Sequence, residues 1–295
     1  MSELSYCNCR TVIALGTFDG VHIGHRMLIN NVLDLAQKNS AIPMVYTFKN
    51  HPLSIIGKAP ELILTADERN EEIEKCGIDN IYCVEFNKEY ASILPYDFIK
   101  MIVESFKPIA IVVGFNYTFG KNGKGNVDTL KKYEDELGYK LYVVDEVRLG
   151  NVTVSSSAIR RLLKAGDIKN VNKMLGRNYT LSGCVVKNKQ IGRTIGFPTA
   201  NIETDKQKVL PSYGVYETRT IYNGKTYNSI TNIGNNPTVN GEKTTIETHI
   251  IDFSGDIYGK TIAVDFIDRI RGEIKFNSIE DVKEQIKKDI KSICK

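Results

Sequence analysis

Two histidines three residues apart, His22 and His25, lie in a glycine-bearing segment that follows a short apolar run. This segment, residues 16–25, reads Gly-Thr-Phe-Asp-Gly-Val-His-Ile-Gly-His, and a helical pattern begins after it. The start of a helix carries unpaired backbone N–H groups and partial positive charge, which favour phosphate binding. Imidazoles on one face of the first turn can donate hydrogen bonds to phosphate oxygens as charge develops there. The chemistry that this arrangement favours is attack on the α-phosphorus of a nucleotide, with pyrophosphate leaving.

Histidines near a helix start can instead be caps or packing groups. The chain, however, contains only four histidines, and two of them occur within this one tetrapeptide. The segment has neither the Gly-x-x-x-x-Gly-Lys-[Ser/Thr] sequence of a P-loop nor the Gly-x-Gly-x-x-Gly sequence of a dinucleotide fold. We therefore expect a nucleotide site of another kind.

Further phosphate-binding side chains follow later in the first half. Asn116 lies two residues beyond the apolar run 110–114, where an amide side chain can reach a phosphate or simply form a turn. Residues 155–157 are three consecutive serines at a helix start, with Arg160 one turn later. Serine hydroxyls cap helices and bind phosphate, and a guanidinium adds a planar charged fork. A plain serine cap explains one serine but not three that precede an arginine.

A second chemistry-bearing segment, residues 192–201, reads Gly-Arg-Thr-Ile-Gly-Phe-Pro-Thr-Ala-Asn. Arg193 supplies positive charge, while the Thr199 hydroxyl and the Asn201 amide offer the hard oxygen ligands that Mg²⁺ prefers beside phosphates. A turn between two strands would explain the glycines and the proline. It would not explain Arg193 or the pair of oxygen-bearing side chains.

Composition limits the protein class. The 295 residues carry a formal charge of +4, with 42% hydrophobic and 25% charged residues, as in globular domains. No run approaches the roughly 20 apolar residues of a membrane span, and the first residues lack a signal-peptide pattern. The six cysteines do not form the two pairs of a zinc site, so we expect reduced thiols. We expect a cytoplasmic protein without nucleic-acid or membrane partners.

The first half alternates between apolar strand patterns and helical patterns, which predicts a doubly wound parallel α/β sheet of Rossmann-like type. Ligands of such sheets bind beyond the carboxyl ends of the strands, where residues 16–25 fall. The predicted strands are 12–15, 44–48, 81–84, 110–114 and 141–144, and the predicted helices are 26–37, 67–76, 96–105 and 128–137. The sequence Thr65-Ala66-Asp67-Glu68 has the form of a capping box.

The second half consists of strand patterns without intervening helices, which predicts a small antiparallel β-barrel. Asn223-Gly224 and Asn240-Gly241 are signals for type I′ hairpins. An amphipathic helix over 278–293 ends the chain, and its apolar stripe is expected to pack on the barrel. The pattern changes near residue 177, so we predict domains at 1–177 and 178–295. The predicted strands are 180–186, 214–222, 225–233, 244–251 and 261–266.

The first-half motifs resemble those of a known family. Gly-x-Phe-Asp-Gly-x-His-x-Gly-His resembles the nucleotidylyltransferase signature, in the form found in the adenylyltransferase half of prokaryotic bifunctional riboflavin kinase/FAD synthetases. The segments Gly-Phe-Asn-x-x-Phe-Gly and Ser-Ser-[Thr/Ser]-x-Ile-Arg resemble two further elements of the same family.

The second half resembles riboflavin kinases. Residues 192–201 match Gly-Arg-x-x-Gly-Phe-Pro-Thr-Ala-Asn, and residues 247–253 are similar to Glu-x-His-x-x-Asp-Phe. An isolated glutamate in a strand would be read as solvent-facing, but the resemblance implies that Glu247 is the base for the ribityl 5′-hydroxyl. The two motif sets cover nearly the whole chain in the family's domain order.

The resemblance implies a bifunctional enzyme of flavin cofactor biosynthesis. The second domain would phosphorylate riboflavin to FMN, and the first would adenylate FMN to FAD with release of pyrophosphate. The implied ligands are ATP, riboflavin and FMN, with Mg²⁺ accompanying ATP and FAD as product, and we expect a monomer or a weak homo-oligomer.

The motifs assign residues to each site. In the first domain the implied catalytic groups are His22 and His25, and the ATP-binding residues are Gly16, Phe18, Asp19, Gly24, Asn116, Ser155, Ser156, Ser157 and Arg160. In the second, the ATP-binding residues are Gly183, Gly192, Arg193, Gly196 and Pro198, the metal ligands are Thr199 and Asn201, and the catalytic base is Glu247. The flavin-side candidates are His51 and Arg271.

Two loops depart from the family pattern, and two other functions stay open. Residues 47–52 lack a proline that the family usually has before His51, and residues 186–190 contain less glycine than usual. One alternative is a cytidylyltransferase joined to an unrelated β module. The other is a flavin-binding protein or regulator that retains only one of the two activities.

Overall fold

The computed structural model describes residues 9–187, 192, 195–238 and 241–293, with the backbone alone at 236–238 and 241–243. The chain divides into two compact units, Met1–Ser156 and Ser157–Lys295. Each unit has its own sheet and its own buried core.

The first unit is built on a parallel five-stranded sheet, as the alternating pattern predicts. Its strands are β1 (Thr11–Leu15), β2 (Ile42–Phe48), β3 (Ile81–Val84), β4 (Pro108–Gly114) and β5 (Lys140–Val144). The spatial order is β3-β2-β1-β4-β5, and each neighbouring pair is parallel. From β1 the chain adds strands first on one side (β2, β3) and then on the other (β4, β5). The carboxyl ends of β1 and β4 therefore form the switch point at which such sheets bind ligands.

Helices connect these strands. They are α1 (Ile23–Asn39), α2 (Leu53–Ile56), α3 (Ala66–Glu74), α4 (Lys88–Ala91), α5 (Pro95–Phe106), α6 (Val127–Lys132) and α7 (Glu134–Leu137), and a short hairpin of β6 (Arg148–Leu149) and β7 (Val152–Thr153) follows β5. The capping box at Thr65 is confirmed, because its hydroxyl accepts from the Glu68 amide while the Glu68 carboxylate accepts from the Thr65 amide.

The single helix predicted over 128–137 is wrong. The helix breaks at Tyr133, and α6 and α7 are separate. The break turns the carboxylate of Glu134 into the protein, where it accepts a hydrogen bond from the amide of Leu141 on β5. The same carboxylate pairs with Lys131 and Lys140, which compensates its burial, and periodicity alone does not reveal these partners.

The second unit is a closed six-stranded barrel, as predicted for the second half. Its strands are β8 (Tyr179–Val186), β9 (Ala200–Glu203), β10 (Gly214–Tyr222), β11 (Lys225–Thr238), β12 (Gly241–Ile250) and β13 (Thr261–Arg271), with α8 (Ser156–Ala165) and α9 (Ile168–Leu175) before them and α10 (Ile279–Ile293) after them. The closed order is β10-β11-β12-β9-β8-β13, and all its pairs are antiparallel.

The hairpin predicted at Asn223-Gly224 is confirmed, because both residues have the positive φ (48° and 71°) that a type I′ turn requires. Asn240, in the second predicted hairpin, lies outside the described residues, although β11 and β12 are paired up to Thr238 and Gly241. The sequence pattern missed β9, which is only four residues long.

The boundary between the two units lies between Ser156 and Ser157, at the start of α8, whereas the sequence pattern changes near residue 177. These two positions differ because α9 packs on β8 and β13 of the barrel unit. Val171 and Leu175 of this helix are fully buried. The side chain of Asn172 accepts from the amide of Tyr179 at 2.8 Å and donates to the carbonyl of Phe266 at 2.8 Å.

This packing predicts where a stable barrel fragment begins. A fragment of residues 178–295 loses the apolar side chains and hydrogen bonds of α9, whereas residues 157–295 keep them. Because each buried aliphatic side chain contributes roughly 1.5–3 kcal/mol, we expect the shorter fragment to melt more than about 10 °C lower. Thermal unfolding followed by circular dichroism checks this. Equal melting temperatures would show that α9 adds nothing to the barrel.

Candidate active sites

The loop after β1 makes a tight turn that brings the start of α1 to the end of the strand. Phe18 and Val21 have positive φ (53° and 38°), which is strained for non-glycine residues and most of all for a β-branched one. Both side chains are fully buried, so packing holds them in this conformation. At the strand end, the amide of Gly16 donates to the carbonyl of Tyr46 on β2 at 3.2 Å.

His22 and His25 form a stacked pair at this helix start. Their ring centroids lie 3.7 Å apart, and the ring planes differ by 14°. His22 caps α1, since its Nδ1 accepts from the backbone amide of His25 at 3.3 Å. That bond places the proton of a neutral His22 on Nε2, which is then a donor. A Cβ on Gly24 would lie 3.2 Å from the His22 ring, so glycine makes room for the stack.

Burial lowers the pKa of His25 well below the ordinary value of 6.5, and the neighbouring His22 lowers it further. His25 is therefore neutral at neutral pH. Within the described part of the chain, its buried Nδ1 has no hydrogen-bond partner. Because buried polar atoms are nearly always paired, such a nitrogen fits a histidine whose partner is a substrate.

Asp19 has a different geometry from the ATP contact that the sequence suggests. Its buried carboxylate accepts from the backbone amides of Ile63 and Leu64 at 3.1–3.3 Å. Its carbonyl accepts from the hydroxyl of Ser156 at 2.8 Å. Asp19 and Ser156 thus join the histidine loop to two other segments of the first unit.

The remaining serines and Asn116 are more accessible. Ser157 is exposed, and Ser155 and Arg160 are partly buried. Asn116 is exposed in the turn that follows β4, closed by a 3.1 Å bond from the amide of Tyr117 to the carbonyl of Gly114. Because β1 and β4 are neighbouring parallel strands, this turn and the histidine loop both lie at the carboxyl ends of the strands.

His51 lies in the loop after β2. Its Nδ1 accepts from the amide of Leu53 at 3.2 Å. Together with Asp19 it lines a small cavity of about 20 Å³, and so does Arg69 of α3. Sequence reasoning missed Arg69, whose buried Nε has no hydrogen-bond partner among the described residues. An arginine in a helical pattern reads as solvent-facing, and no local signal marks this one.

A larger cavity, of about 420 Å³, lies on the outer face of the barrel. This volume is in the range of ligand sites. Thr199, Asn201 and Glu247 line it, and the register places Asn201 of β9 directly opposite Glu247 of β12. One side of the cavity is apolar, with Val282 and Ile286 of α10 contributing side chains. The residues predicted for the metal and for the base are thus brought together.

The glycines predicted for ATP binding allow close approach of backbone segments. A Cβ on Gly183 would lie 2.4 Å from the carbonyl oxygen of Glu203, so this position lets β8 and β9 approach each other. Gly192 lines the cavity, and a Cβ there would lie 2.4 Å from the carbonyl oxygen of Phe197. Gly196 lies in the turn before Phe197 and has a positive φ of 88°.

Pro198 contributes its carbonyl, to which Nδ1 of His249 donates at 2.8 Å. Sequence reasoning gave His249 no separate role, although it lines the same cavity as Glu247. Arg193, the predicted positive charge of this segment, lies outside the described residues.

Arg271, the flavin-side candidate of the barrel, is held by a carboxylate. Its Nε and Nη2 donate to Asp289 of α10 at 3.0 and 2.9 Å, and Gln285 also donates to this carboxylate at 2.8 Å. Asp289 is only 3% exposed and lines the cavity with Arg271. The pair is therefore a neutral wall of the cavity. Sequence reasoning missed Asp289, because a helical aspartate gives no sign of a partner on a strand.

Comparisons with known proteins agree with this geometry. The FAD synthetase family model matches residues 5–158, and the riboflavin kinase family model matches residues 175–295. A bifunctional riboflavin kinase/FMN adenylyltransferase from Bacillus subtilis is 37% identical over 95% of this chain and 90% of its own length. The chain belongs to this bifunctional family. The Escherichia coli protein of the same name is 34% identical over 94% of this chain and 90% of its own length.

A solved structure also resembles the whole chain. It is the crystal structure of a protein from Streptococcus pneumoniae described as a macrolide-efflux protein, with a TM-score of 0.90 and 32% identity over 97% of this chain and 94% of that one. Among the described residues, no helix has both the length and the apolar character needed to cross a membrane. The family and the fold class inferred from the sequence are confirmed.

The low pKa of His25 predicts a pH-dependent stability. When the protein unfolds, His25 regains a pKa near 6.5 and takes up a proton that the folded state does not bind. Protonation therefore favours unfolding. The contribution of neutral His25 to the free energy of unfolding is fully present above about pH 6.5 and falls as the pH is lowered below that value. The slope is up to about 1.4 kcal/mol per pH unit.

Urea unfolding of the full chain and of a His25→Gln variant between about pH 7.5 and 5.5 measures this effect. We expect the variant to lose less free energy of unfolding over that interval than the parent. An identical slope in both proteins would show that His25 titrates normally.

Proposed function

We propose that the protein makes FMN from riboflavin and ATP in its barrel and then makes FAD and pyrophosphate from FMN and a second ATP in its α/β unit. Two observations support the proposal, one for each half. In a chain that belongs to the bifunctional family, a stacked histidine pair lies at the switch point of the sheet, and Glu247 lies opposite Asn201 in the barrel cavity. From the sequence motifs we assign the two activities to residues 1–177 and 178–295, and α9, which precedes the second range, packs on the barrel.

In the adenylyl transfer, a phosphate oxygen of FMN attacks the α-phosphorus of ATP. The bond to the β-phosphate oxygen breaks, and pyrophosphate leaves. The neutral Nε2–H of His22 donates to the phosphate oxygens as charge builds, and His25 stacks behind it as a second imidazole. The family motifs assign Asn116, Ser155, Ser157 and Arg160 to the triphosphate.

The other residues predicted for this site shape it. Gly16 ends the strand, Phe18 packs under His25 with ring centroids 5.2 Å apart, and Gly24 leaves space for His22. Asp19 and Ser156 hold the loop in place rather than contact the nucleotide, because their polar groups already have partners within the unit. His51 remains a flavin-side candidate through the small cavity that it shares with Arg69.

In the phosphoryl transfer, the carboxylate of Glu247 takes the proton of the ribityl 5′-hydroxyl as that oxygen attacks the γ-phosphorus of ATP. The bond to the β-phosphate oxygen breaks, and ADP leaves. The apolar side of the cavity suits the flavin ring, while Arg271, neutralised by Asp289, presents no free charge to it. Gly192, Arg193, Gly196 and Pro198 form the segment expected beside ATP.

The donor set fits Mg²⁺. Thr199 and Asn201 supply oxygen ligands at the cavity, and no cluster of three or more His, Cys, Asp or Glu side chains that could hold a metal occurs among the described residues. Such a site suits a hard cation that binds through few protein groups and through phosphates. Mg²⁺ bound with ATP would neutralise phosphate charge. Thr199 and Asn201 would hold it near Glu247.

Further properties remain our proposals. We propose a cytoplasmic protein that acts on ATP, riboflavin and FMN, binds no nucleic acid or membrane, and is a monomer or a weak homo-oligomer. The second candidate function is a flavin-binding protein that retains one activity. The same assay distinguishes it from the bifunctional enzyme.

The direct test is incubation of the protein with riboflavin, ATP and Mg²⁺, with products separated by chromatography over time. We expect FMN to appear first and FAD to follow, with ADP and pyrophosphate as co-products. CTP in place of ATP tests the cytidylyltransferase alternative. Formation of FMN without FAD, or of neither, would reject the bifunctional assignment.

Glu247→Gln provides the sharpest test of the barrel chemistry. Glutamine keeps the shape of the side chain but removes the proton acceptor, and loss of a general base costs ~10²–10⁴ in rate. We expect riboflavin phosphorylation to fall by that factor, while FAD formation from supplied FMN stays at the parental rate. Initial rates with each substrate measure both activities.

His25→Ala is the matched control, because it lies in the other unit. It should reduce FAD formation by ~10²–10³ and leave riboflavin phosphorylation unchanged. If Glu247→Gln phosphorylates riboflavin within a few-fold of the parent, Glu247 is not the base. If either variant loses both activities equally while folded, the two sites are not independent.

A further inference from the structure

The interior of the barrel contains an unbroken chain of five hydroxyl groups. Its bonds join Thr220 to Ser229, Ser229 to Thr218, Thr218 to Thr231 and Thr231 to Thr248, with oxygen–oxygen distances of 2.9, 2.8, 2.9 and 2.9 Å. Each of the five residues is at most 1% exposed. The chain crosses β10, β11 and β12, and we call it the hydroxyl chain.

Filling a barrel interior with hydroxyl groups costs more free energy than filling it with apolar side chains. A buried hydroxyl loses its water and must be paired, whereas valine has nearly the shape of threonine and carries no polar atom. What a chain of hydroxyls adds is direction, because hydrogen bonds constrain both distance and angle, whereas packing contacts do not. With Thr220 donating to Ser229, each later hydroxyl can donate to the next, and such chains strengthen cooperatively.

The hydroxyl chain ends directly behind the barrel cavity. Successive side chains of a strand point to opposite faces. Thr248 points into the barrel, while its neighbours Glu247 and His249 line the cavity on the outer face. Thr231 also points inward, while its neighbours Ile230 and Asn232 line the same cavity. The Thr231–Thr248 bond therefore joins the two strands that carry this wall.

The register connects this bond to the proposed base. Thr248 is paired with Ala200, and Glu247 is paired with Asn201. On its other side, β12 is paired with β11, where Thr248 lies opposite Thr231 and Glu247 lies opposite Asn232. A shift of β12 relative to β11 would therefore move Glu247 relative to Asn232.

We propose that Thr248 is a positioning residue for phosphoryl transfer, because its bond to Thr231 adds a side-chain link between β12 and β11 next to Glu247 and so holds Glu247 opposite Asn232. The proposal rests on the proposed function of the barrel. Thr248 faces the interior and touches no substrate, so it acts through the strand. Small displacements of a catalytic group are costly in rate, since an error of about 1 Å can cost ~10².

The test compares Thr248→Val with Thr248→Ser in the full chain. Valine keeps the shape and removes the hydroxyl, whereas serine keeps the hydroxyl. We expect Thr248→Val to lower the kcat of riboflavin phosphorylation about ten-fold, with the KM values for riboflavin and ATP within about two-fold of the parent. We expect Thr248→Ser to restore most of kcat, and FAD formation from supplied FMN to be unchanged in both variants.

Thr220→Val is the matched control. Thr220 is equally buried and begins the same chain, but it lies on β10, away from Glu247. We expect it to lower the melting temperature of the barrel much as Thr248→Val does, and to leave kcat within about two-fold of the parent. An equal fall of kcat in both valine variants would show that activity follows barrel stability, which rejects a positioning role for Thr248.

Other outcomes are equally decisive. A folded Thr248→Val protein with parental kcat rejects the proposal, and so does a Thr248→Ser protein as slow as the valine variant. If Thr248→Val does not fold, Thr231→Val breaks the same bond from the other strand and is expected to give the same ten-fold fall. If neither valine variant folds, the hydroxyl chain serves folding alone, and the proposal is rejected. A parent that makes no FMN contradicts the proposed function instead.

Discussion

Pairing between strands that are distant in the sequence is the constraint on which both sites depend. In the first unit, the parallel pairing of β1 with β4 brings the loop of the two histidines and the turn of Asn116 to one edge of the sheet. In the barrel, the pairing of β9 with β12 sets Asn201 opposite Glu247. Without these backbone ladders, the motifs would be separate segments with no common site.

Buried polar groups hold each loop in the position that the strands define. Asp19 accepts two backbone amides, and the Arg271–Asp289 pair joins the end of β13 to α10. Removing one partner of a buried ion pair costs about 3–5 kcal/mol, because it leaves an unpaired charge in a site of low polarity. Such groups are poor sources of stability relative to apolar packing. They do, however, specify one arrangement of the chain.

Local patterns predicted most of the fold. Strands that alternate with helices predicted the parallel sheet, and strands without intervening helices predicted the barrel. The Asn223-Gly224 pair predicted its turn, and four residues from Thr65 predicted the capping box. The features that escaped prediction depend on distant partners. At the break at Tyr133, Glu134 is bonded to Leu141 of β5, and α9 packs on the barrel through bonds such as that of Asn172 to Phe266.

The same distinction separates the parts of the sites. The identity and spacing of His22 and His25 are local, so the sequence could indicate them. The tautomer of His22 and the low pKa of His25 depend on stacking and burial, which only the folded loop creates. Asp19 shows the converse. Its place in the motif suggests a ligand contact, and no local signal reveals that its carboxylate also accepts from amides 44 and 45 residues away.

The two sites use charge in opposite ways, and each way follows from its chemistry. At the α/β site, both substrates bring phosphates, so neutral imidazole donors at a helix start can stabilise added charge without binding the ground state too tightly. At the barrel cavity, the proposed reaction removes a proton from a hydroxyl, and a carboxylate can accept it. An unpaired guanidinium in the same cavity would be a buried charge without a counterion. The pairing of Arg271 with Asp289 cancels that charge in the wall of the cavity that Glu247, the proposed base, also lines.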